Sequence, residues 1–170
     1  MRREDLVTLL PEGAVAIELG VAAGVFSAAI LRSDRVSLLY SVDRWSGESG
    51  HDDPQYRTAR KRLEPFGERS VVIRRPFNIA IDCFSDGIFD FIYIDGYAHT
   101  GQEDGRTIHA WWKKLKRGGI YAGHDYSLRW PLTMKAVDQF CQSRGLTMKV
   151  TDEKDEGTVW PSWYIKRVSL

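Results

Sequence analysis

The residues of this chain that could do chemistry are acids and histidines placed directly after short apolar runs. Glu18 ends the first such run, and it is followed by Gly20 and, four residues later, by Gly24. A strand, a Gly-rich turn and the start of a helix together form a nucleotide-cofactor site in an open α/β sheet. A dinucleotide fold would show G-x-G-x-x-G, with phosphates on the helix N-terminus. Here that triplet is broken, and an acid at the turn favours a ligand with a cationic end. An ordinary strand-to-helix turn is the alternative.

A second acid ends the next predicted strand. Asp43 lies nineteen residues past Gly24, where a carboxylate can accept hydrogen bonds from both ribose hydroxyls of a nucleotide. An acid at a strand end can alternatively cap a helix. The polar, Gly-rich stretch 45–54 that follows is long for a loop, so we expect either a mobile lid over the cofactor position or a plain surface loop. We expect Trp45, at the start of this loop, to bind the cofactor.

Four further candidates follow the fourth and fifth predicted strands. Asp95 comes directly after the predicted strand 89–94, which ends in four apolar residues, His99 follows four residues later, and His124 and Asp125 follow the next strand. Because α/β folds bind ligands at the carboxyl edge of the sheet, we expect these side chains on one rim. Carboxylates and imidazoles in one cleft suit either a divalent metal site or a general base. The alternatives are that His124 braces the strand end and that Asp95 caps a helix.

The elements that must position these residues alternate along the chain. Predicted strands cover residues 14–19, 38–42, 71–74, 89–94 and 119–122, and predicted helices cover 26–32, 54–63, 78–84 and 101–116. Such alternation predicts right-handed crossovers and a parallel sheet with helices on both faces. A helix at 131–144 and a hairpin of strands 147–151 and 160–168, joined by a polar turn at 152–157, would add an antiparallel C-terminal strand. The sequence therefore predicts one α/β domain over residues 1–170 with a mostly parallel, seven-stranded sheet.

Composition narrows the classes of function. The net charge of +1 gives no electrostatic argument for binding nucleic acid or a membrane surface, so we expect neither partner. No apolar run approaches the length of a membrane span or a signal peptide. Cys83 and Cys141 form no metal or disulfide pattern, and we expect two buried thiols in a reducing compartment. These observations predict a cytoplasmic, soluble protein.

Four features of the sequence carry a resemblance to a known family. The pattern E-x-G-x-x-x-G, from Glu18 to Gly24, resembles motif I of the class I S-adenosylmethionine-dependent methyltransferases, a Rossmann-like fold. The Ile94-Asp95-Gly96 element with its following histidine, the helix that carries Trp111 and Trp112, and Gly123-His124-Asp125-Tyr126 are similar to the methyltransferase domain 24 family. The resemblance covers roughly residues 14–126. A C-terminal antiparallel hairpin is also how class I methyltransferases end.

The resemblance implies S-adenosylmethionine as the cofactor. It places Glu18 and Gly20 at the methionine end and Asp43 at the ribose, and Gly24, Trp45 and Asp95 are further candidates for cofactor binding. Macrolide and sugar O-methyltransferases with a related site bind Mg²⁺ through the aspartate of the I-D-G element and a Glu-Asp pair after the next strand. The matching positions here are Asp95, His124 and Asp125. Because one ligand is an imidazole, this set favours Mn²⁺ over Mg²⁺.

The resemblance also implies the reaction, which is O-methylation of a sugar, a glycan or another hydroxylated small molecule. The enzyme must align the acceptor oxygen and help remove its proton, and His99 is the candidate base, with Asp95 beside it. The acceptor would bind on the open rim, under the loop or at an interface between subunits of a homo-oligomer. The alternatives are a catalytically inactive module that binds S-adenosylmethionine or another nucleotide, and a hydroxylase-like relative of the same fold.

Overall fold

The computed structural model describes residues 1–47, 50–152 and 160–168. Within them a seven-stranded sheet has the order β3-β2-β1-β4-β5-β7-β6. Every neighbouring pair among the first five strands is parallel, whereas β7 runs antiparallel to both β5 and β6. The strands are β1 (Ala14–Leu19), β2 (Val36–Asp43), β3 (Ser70–Arg74), β4 (Phe89–Ile94), β5 (Leu115–Gly123), β6 (Lys149–Val150) and β7 (Trp163–Lys166). The predicted fold class, a mostly parallel sheet with one antiparallel C-terminal strand, is confirmed.

Within the described residues, five right-handed helical segments and one short left-handed turn, labelled α4, connect or cover these strands. They are α1 (Val25–Leu31), α2 (Asp53–Leu63), α3 (Phe77–Ala80), α4 (Gly101–Asp104), α5 (Arg106–Trp111) and α6 (Pro131–Arg144). Short 3₁₀ helices include Arg3–Leu9 before β1 and Ala98–Thr100 after β4. In the described chain no helix is both long and apolar enough to span a membrane.

The single helix predicted over residues 101–116 is wrong. Every residue from Gly101 to Gly105 has a positive φ, including Gln102, Glu103 and Asp104, so this stretch is a left-handed turn rather than the start of a regular helix. A right-handed helix begins only at Arg106, and β5 already starts at Leu115. The two glycines, which tolerate left-handed backbone, permit this break. Most of the predicted turn at 152–157 lies outside the described residues.

The core occupies both faces of the sheet. Along β4, Ile92 and Ile94 pack into the apolar cluster on one face, whereas Phe91 and Tyr93 pack into the cluster on the other. All four side chains are completely buried. A strand that is buried on both faces cannot slip in register without exposing apolar surface, and the position of Asp95 at its end is therefore well defined.

The two cysteines differ in exposure. Cys141 is buried as expected, but Cys83 is exposed, whereas its neighbours Ile81 and Phe84 pack in the core. The expectation of two buried thiols is therefore wrong for Cys83.

Candidate functional site

A cavity of about 460 Å³ opens at the carboxyl edge of the sheet, above the ends of β1, β2, β4 and β5. Its size is within the range of small-molecule sites. The lining includes six of the residues singled out from the sequence, namely Glu18, Gly20, Asp43, Asp95, His99 and Asp125. The parallel topology thus brings together residues that lie more than a hundred positions apart in the sequence.

The glycine turn between β1 and α1 is built by contact with β4. Gly20 has a φ of +96°, and a Cβ added there would lie 2.5 Å from the carbonyl carbon of Asp95 and closer still to its oxygen. Only glycine permits both this conformation and this approach. Gly24 has a φ of +76° and precedes the first residue of α1, and it packs against Ala59 of α2 rather than lining the cavity.

Asp43 holds the glycine turn in place. Its Oδ2 accepts hydrogen bonds from the backbone N–H groups of Val21 and Ala22, at 2.9 and 3.0 Å, and Oδ1 accepts one from Trp45 at 3.2 Å. The carboxylate is therefore fixed at the cavity wall. It does not cap α2, since the side chain of Asp52 does so. A carboxylate has about four lone-pair positions, so acceptor capacity remains for a ligand.

Trp45 also stabilises the glycine turn. Its indole ring is completely buried, packs 4.9 Å from the ring of Tyr56, and donates from Nε1 to the carbonyl of Ala22 at 2.9 Å. The described part of the cavity wall does not include it. The loop predicted as a lid contains residues 48–49, which lie outside the described residues. Farther along that loop, His51 does line the cavity, with Nδ1 3.8 Å from Oδ2 of Asp43.

Glu18 is buried at the floor of the cavity. It accepts a hydrogen bond from the hydroxyl of Ser27, and Ser27 in turn accepts one from Ser41 at 3.0 Å. Burial raises the pKa of Glu18 well above its usual value, while the Ser27 hydrogen bond opposes that shift. A buried carboxyl with an elevated pKa is stabilised by a cationic ligand, which would draw its pKa back down.

Asp95, His124 and Asp125 form a compact cluster at the same edge of the sheet, and Asp95 and Asp125 line the cavity. Nδ1 of His124 lies 2.9 Å from Oδ1 of Asp125 and 3.5 Å from Oδ1 of Asp95. Asp125 adopts a φ of +64°, which is rare for a residue other than glycine. Such backbone strain persists where the surrounding structure enforces it and is concentrated at functional sites.

The imidazole of His124 is held between two carboxylates. Burial disfavours its charged form, but the negative charge of Asp95 and the hydrogen bonds to both carboxylates outweigh that effect and raise the pKa of His124 to about 10. The ring is therefore protonated at neutral pH when only protein groups surround it. A protonated imidazole donates hydrogen bonds and cannot accept a proton, so His124 is a poor general base in this arrangement.

The same cluster is a candidate metal site. One ligand atom from each of Asp95, His124 and Asp125 lies within 4.8 Å of the others, a spread that a single ion can span. Two carboxylates and an imidazole suit Mn²⁺ better than Mg²⁺, which prefers oxygen. A metal-bound imidazole must be unprotonated at the ligating nitrogen, so ion binding here would release the proton of His124.

His99 lies on the rim, in the 3₁₀ helix Ala98–Thr100 that follows β4. It is exposed and lines the cavity together with Asp95 and Asp125. Tyr97, two residues before His99, has a φ of +59° and turns the chain sharply after β4. This turn brings His99 to the cavity although it is four residues past Asp95.

Sequence reasoning missed two arginines of the cavity wall. Arg3, from the N-terminal 3₁₀ helix, and Arg44, directly after β2, both line the cavity. Arg44 could have been found from its place next to Asp43. Arg3 lies outside every motif, and only the packing of Leu6 and Val7 on the sheet brings it there.

Comparison with known proteins agrees with this geometry. A family model described as a methyltransferase domain, methyltransferase domain 24, matches residues 17–126. No protein among those with curated functions matches the chain.

Solved structures share the fold at low sequence identity. An rRNA methylase from Streptococcus thermophilus has 16% identity and a TM-score of 0.71, with 98% of this chain and 94% of that protein covered. A putative methyltransferase from Streptococcus mutans, solved in complex with SAH, has 15% identity and a TM-score of 0.70, with 97% and 95% covered. An SAM-dependent O-methyltransferase from Thermotoga maritima has 16% identity and a TM-score of 0.70; the match covers 97% of this chain but only 63% of that protein.

The matched residues run from the middle of β1 to just beyond the end of β5, and so include the glycine turn, Asp43, Asp95 and the His124–Asp125 pair. They make up well over half of the chain. The chain belongs to the methyltransferase domain 24 family of class I S-adenosylmethionine-dependent methyltransferases.

Proposed function

We propose that this protein transfers the methyl group of S-adenosylmethionine to a hydroxyl of a small molecule, such as a sugar or glycan. The observation that carries the proposal is that one cavity joins two chemically different walls. Glu18, Gly20 and Asp43 form one wall, and Asp95, His99 and Asp125 form the other. The first suits a nucleoside with a cationic end, and the second suits an acceptor hydroxyl that must lose a proton.

The cofactor wall matches the charges of the ligand. The buried carboxyl of Glu18 would receive the α-ammonium of the methionine moiety, and Asp43 would accept hydrogen bonds from the ribose hydroxyls. Gly20 would shape this wall, because the absence of a side chain lets the turn pack against the Asp95 carbonyl beside the ligand. The three backbone N–H groups bonded to Asp43 keep its carboxylate in one orientation before the ligand arrives.

The residues of the acceptor wall would bind the acceptor hydroxyl and take up its proton. In methyl transfer a new oxygen–carbon bond forms as the sulfur–carbon bond breaks, and the acceptor proton must go to a base. His99 is the proposed base, because His124 is held protonated between its carboxylates. Asp95 and Asp125 would orient the acceptor hydroxyl. A divalent ion held by Asp95, His124 and Asp125 would supply Lewis acidity that lowers the pKa of a bound hydroxyl.

A radiolabel screen tests the proposal. The protein is incubated with tritiated-methyl S-adenosylmethionine and a panel of sugars, catechols and, as a nucleic-acid arm, rRNA fragments. We expect label in a hydroxylated small molecule and none in RNA. Label in RNA alone would contradict the proposed acceptor class. Cofactor binding without transfer to any hydroxyl would instead favour the alternative of a catalytically inactive binding module.

Chelation tests the metal separately. Activity should fall after treatment with EDTA and should return more fully with Mn²⁺ than with Mg²⁺, given the mixed oxygen and nitrogen ligand set. Full activity after exhaustive chelation would contradict metal assistance, and the three residues would then act directly on the acceptor.

A further inference from the structure

Two tryptophans lie next to the cluster of Asp95, His124 and Asp125. The ring of Trp160 packs against that of His124, with the ring centroids 6.3 Å apart, and the ring of Trp130 packs against Trp160 at 5.6 Å. Both tryptophans are only partly buried, so part of each side chain remains accessible. The two side chains together form an aromatic surface beside the cluster, which we call the indole corner.

The antiparallel last strand brings the indole corner to this edge of the sheet. The last residue of β5 pairs with the first residue of β7, so the segment before β7 lies where β5 ends. The backbone N–H of Tyr126 donates to the carbonyl of Pro161 at 3.0 Å, which ties the segment that carries Trp160 to the loop after β5. Trp130 ends that loop and directly precedes α6. The corner is therefore held by backbone pairing on both sides.

The indole corner lies outside the cavity, beyond the acidic cluster. The described part of the cavity lining includes Asp95 and Asp125 but neither indole. If the cofactor occupies the cavity, the bulk of an acceptor whose hydroxyl lies at these carboxylates must extend out of it. The indole corner is the aromatic surface next to the cluster, and it would pack against that part of the acceptor.

The angle between the two rings favours one shape of acceptor. The planes meet at 85°, edge to face, and so form a corner rather than a slot between parallel faces. A slot would clasp a planar aromatic acceptor, whereas a corner can seat a puckered ring. A pyranose has an apolar C–H face that can pack on an indole, and hydroxyls around its rim that carboxylates can bind.

We propose that Trp160 and Trp130 bind the pyranose ring of a sugar acceptor and thereby hold one of its hydroxyls at Asp95 and Asp125. The assignment rests on the proposed function and names the substrate class of the same site.

Saturation-transfer difference NMR of the protein with S-adenosylhomocysteine bound tests the assignment. The probes are the methyl α-pyranosides of D-glucose, D-galactose, D-mannose and L-rhamnose, with catechol as the planar probe. We expect saturation of the ring C–H protons of at least one pyranoside. Trp160→Leu keeps apolar bulk but removes the aromatic face, and it should weaken binding of that pyranoside by about 3- to 10-fold. Trp160→Phe keeps an aromatic face and should retain most of the binding.

Two controls separate recognition of the sugar from support of the fold. The affinity of both Trp160 variants for S-adenosylhomocysteine, measured by calorimetry, should equal that of the wild type. Trp112→Leu also removes a partly buried indole, but one that packs against Tyr121 and Phe140 and lies three residues before β5 begins, whereas the cluster follows the end of β5. It should bind the pyranoside like the wild type.

The assignment is overturned by any of several results. Equal pyranoside binding by the wild type and Trp160→Leu would exclude a role for this ring. Loss of S-adenosylhomocysteine together with the pyranoside in both Trp160 variants would mean that the ring only supports the fold. A wild type that binds S-adenosylhomocysteine but no pyranoside, with or without catechol, would refute the sugar class and leave the cofactor assignment intact. A wild type that does not bind S-adenosylhomocysteine would instead refute the proposed function itself.

Discussion

Replacement of Gly20 by alanine tests the structural basis of the site. The added Cβ would lie 2.5 Å from the carbonyl carbon of Asp95, and the residue would keep a φ of +96°. Left-handed backbone costs a residue with a side chain about 1–2 kcal/mol. Forcing a methyl group against a packed strand end costs about 1–3 kcal/mol more. We therefore expect Gly20→Ala to lower the free energy of unfolding by about 2–5 kcal/mol.

Gly13 provides the matched control. Its φ is +73°, but a Cβ there would meet no atom within 4 Å. Gly13→Ala should therefore show the backbone cost alone, about 1–2 kcal/mol. Urea unfolding followed by circular dichroism gives both values, and the difference between them isolates the steric contact between Gly20 and Asp95. Equal destabilisation by the two substitutions would refute the close approach of the glycine turn to β4.

The contact has a functional consequence as well. To relieve the overlap, the turn or the end of β4 must move, and Asp95 would move with it. In the folded fraction of Gly20→Ala, titration calorimetry should show weaker binding of S-adenosylhomocysteine, whereas Gly13→Ala should bind like the wild type. Wild-type affinity in Gly20→Ala would contradict the inference that this turn positions the cofactor.

Three further predictions concern single side chains. Asp43→Ala should weaken S-adenosylhomocysteine binding by about 1.5–3 kcal/mol per lost hydrogen bond, measured by calorimetry; unchanged affinity in a folded variant would exclude ribose binding. His99→Ala should lower turnover by about 10²–10⁴-fold while cofactor affinity is retained. The control is the same substitution at His109, which is exposed on α5 and does not line the cavity, and which should leave turnover unchanged. If His99→Ala keeps more than a third of wild-type turnover, the base lies elsewhere. Because the pKa of His124 is raised from 6.5 to about 10, its stabilisation should be fully present below pH 6.5 and lost as the pH rises through about 10. The difference in unfolding free energy between wild type and His124→Gln, measured in chelator, should shrink over that range, and a constant difference would contradict the ion pairs.

The local pattern of apolar and polar residues was enough to predict where β1 and β4 end. β1 and β4 have the predicted bounds, because each contains an apolar run of four residues and is followed directly by glycine or by Asp-Gly. A parallel sheet then places Glu18, Asp43, Asp95 and Asp125 at one edge without further information. Most of the candidate site follows from these two facts.

Other features depend on contacts that a sequence does not display. The stretch from Gly101 to Gly105 contains Gln102 and Glu103, which favour helices, yet its backbone is left-handed. It also packs closely against α6, where a Cβ on Gly101 would lie 2.6 Å from the carbonyl oxygen of Leu132. Trp45 stands in a polar loop, where an aromatic residue favours ligand contact, but its ring is buried with Tyr56. Arg3 is placed by long-range packing alone.

The orientation of His124 is a further example. Its position after β5 was predictable, but the approach of Nδ1 to both Asp95 and Asp125 was not, and neither was the left-handed conformation of Asp125. That approach decides whether the ring is a base, a hydrogen-bond donor or a metal ligand. Such a choice depends on tenths of an ångström and cannot be made from residue types.

A crystal structure of the protein grown with saturating S-adenosylhomocysteine tests the central claim most directly. The account predicts ligand density in the cavity at the carboxyl edge of the sheet, with the ribose hydroxyls on Asp43 and the amino-acid end at Glu18. Density with the nucleoside turned away from Asp43, or a cavity without ligand under these conditions, would contradict it.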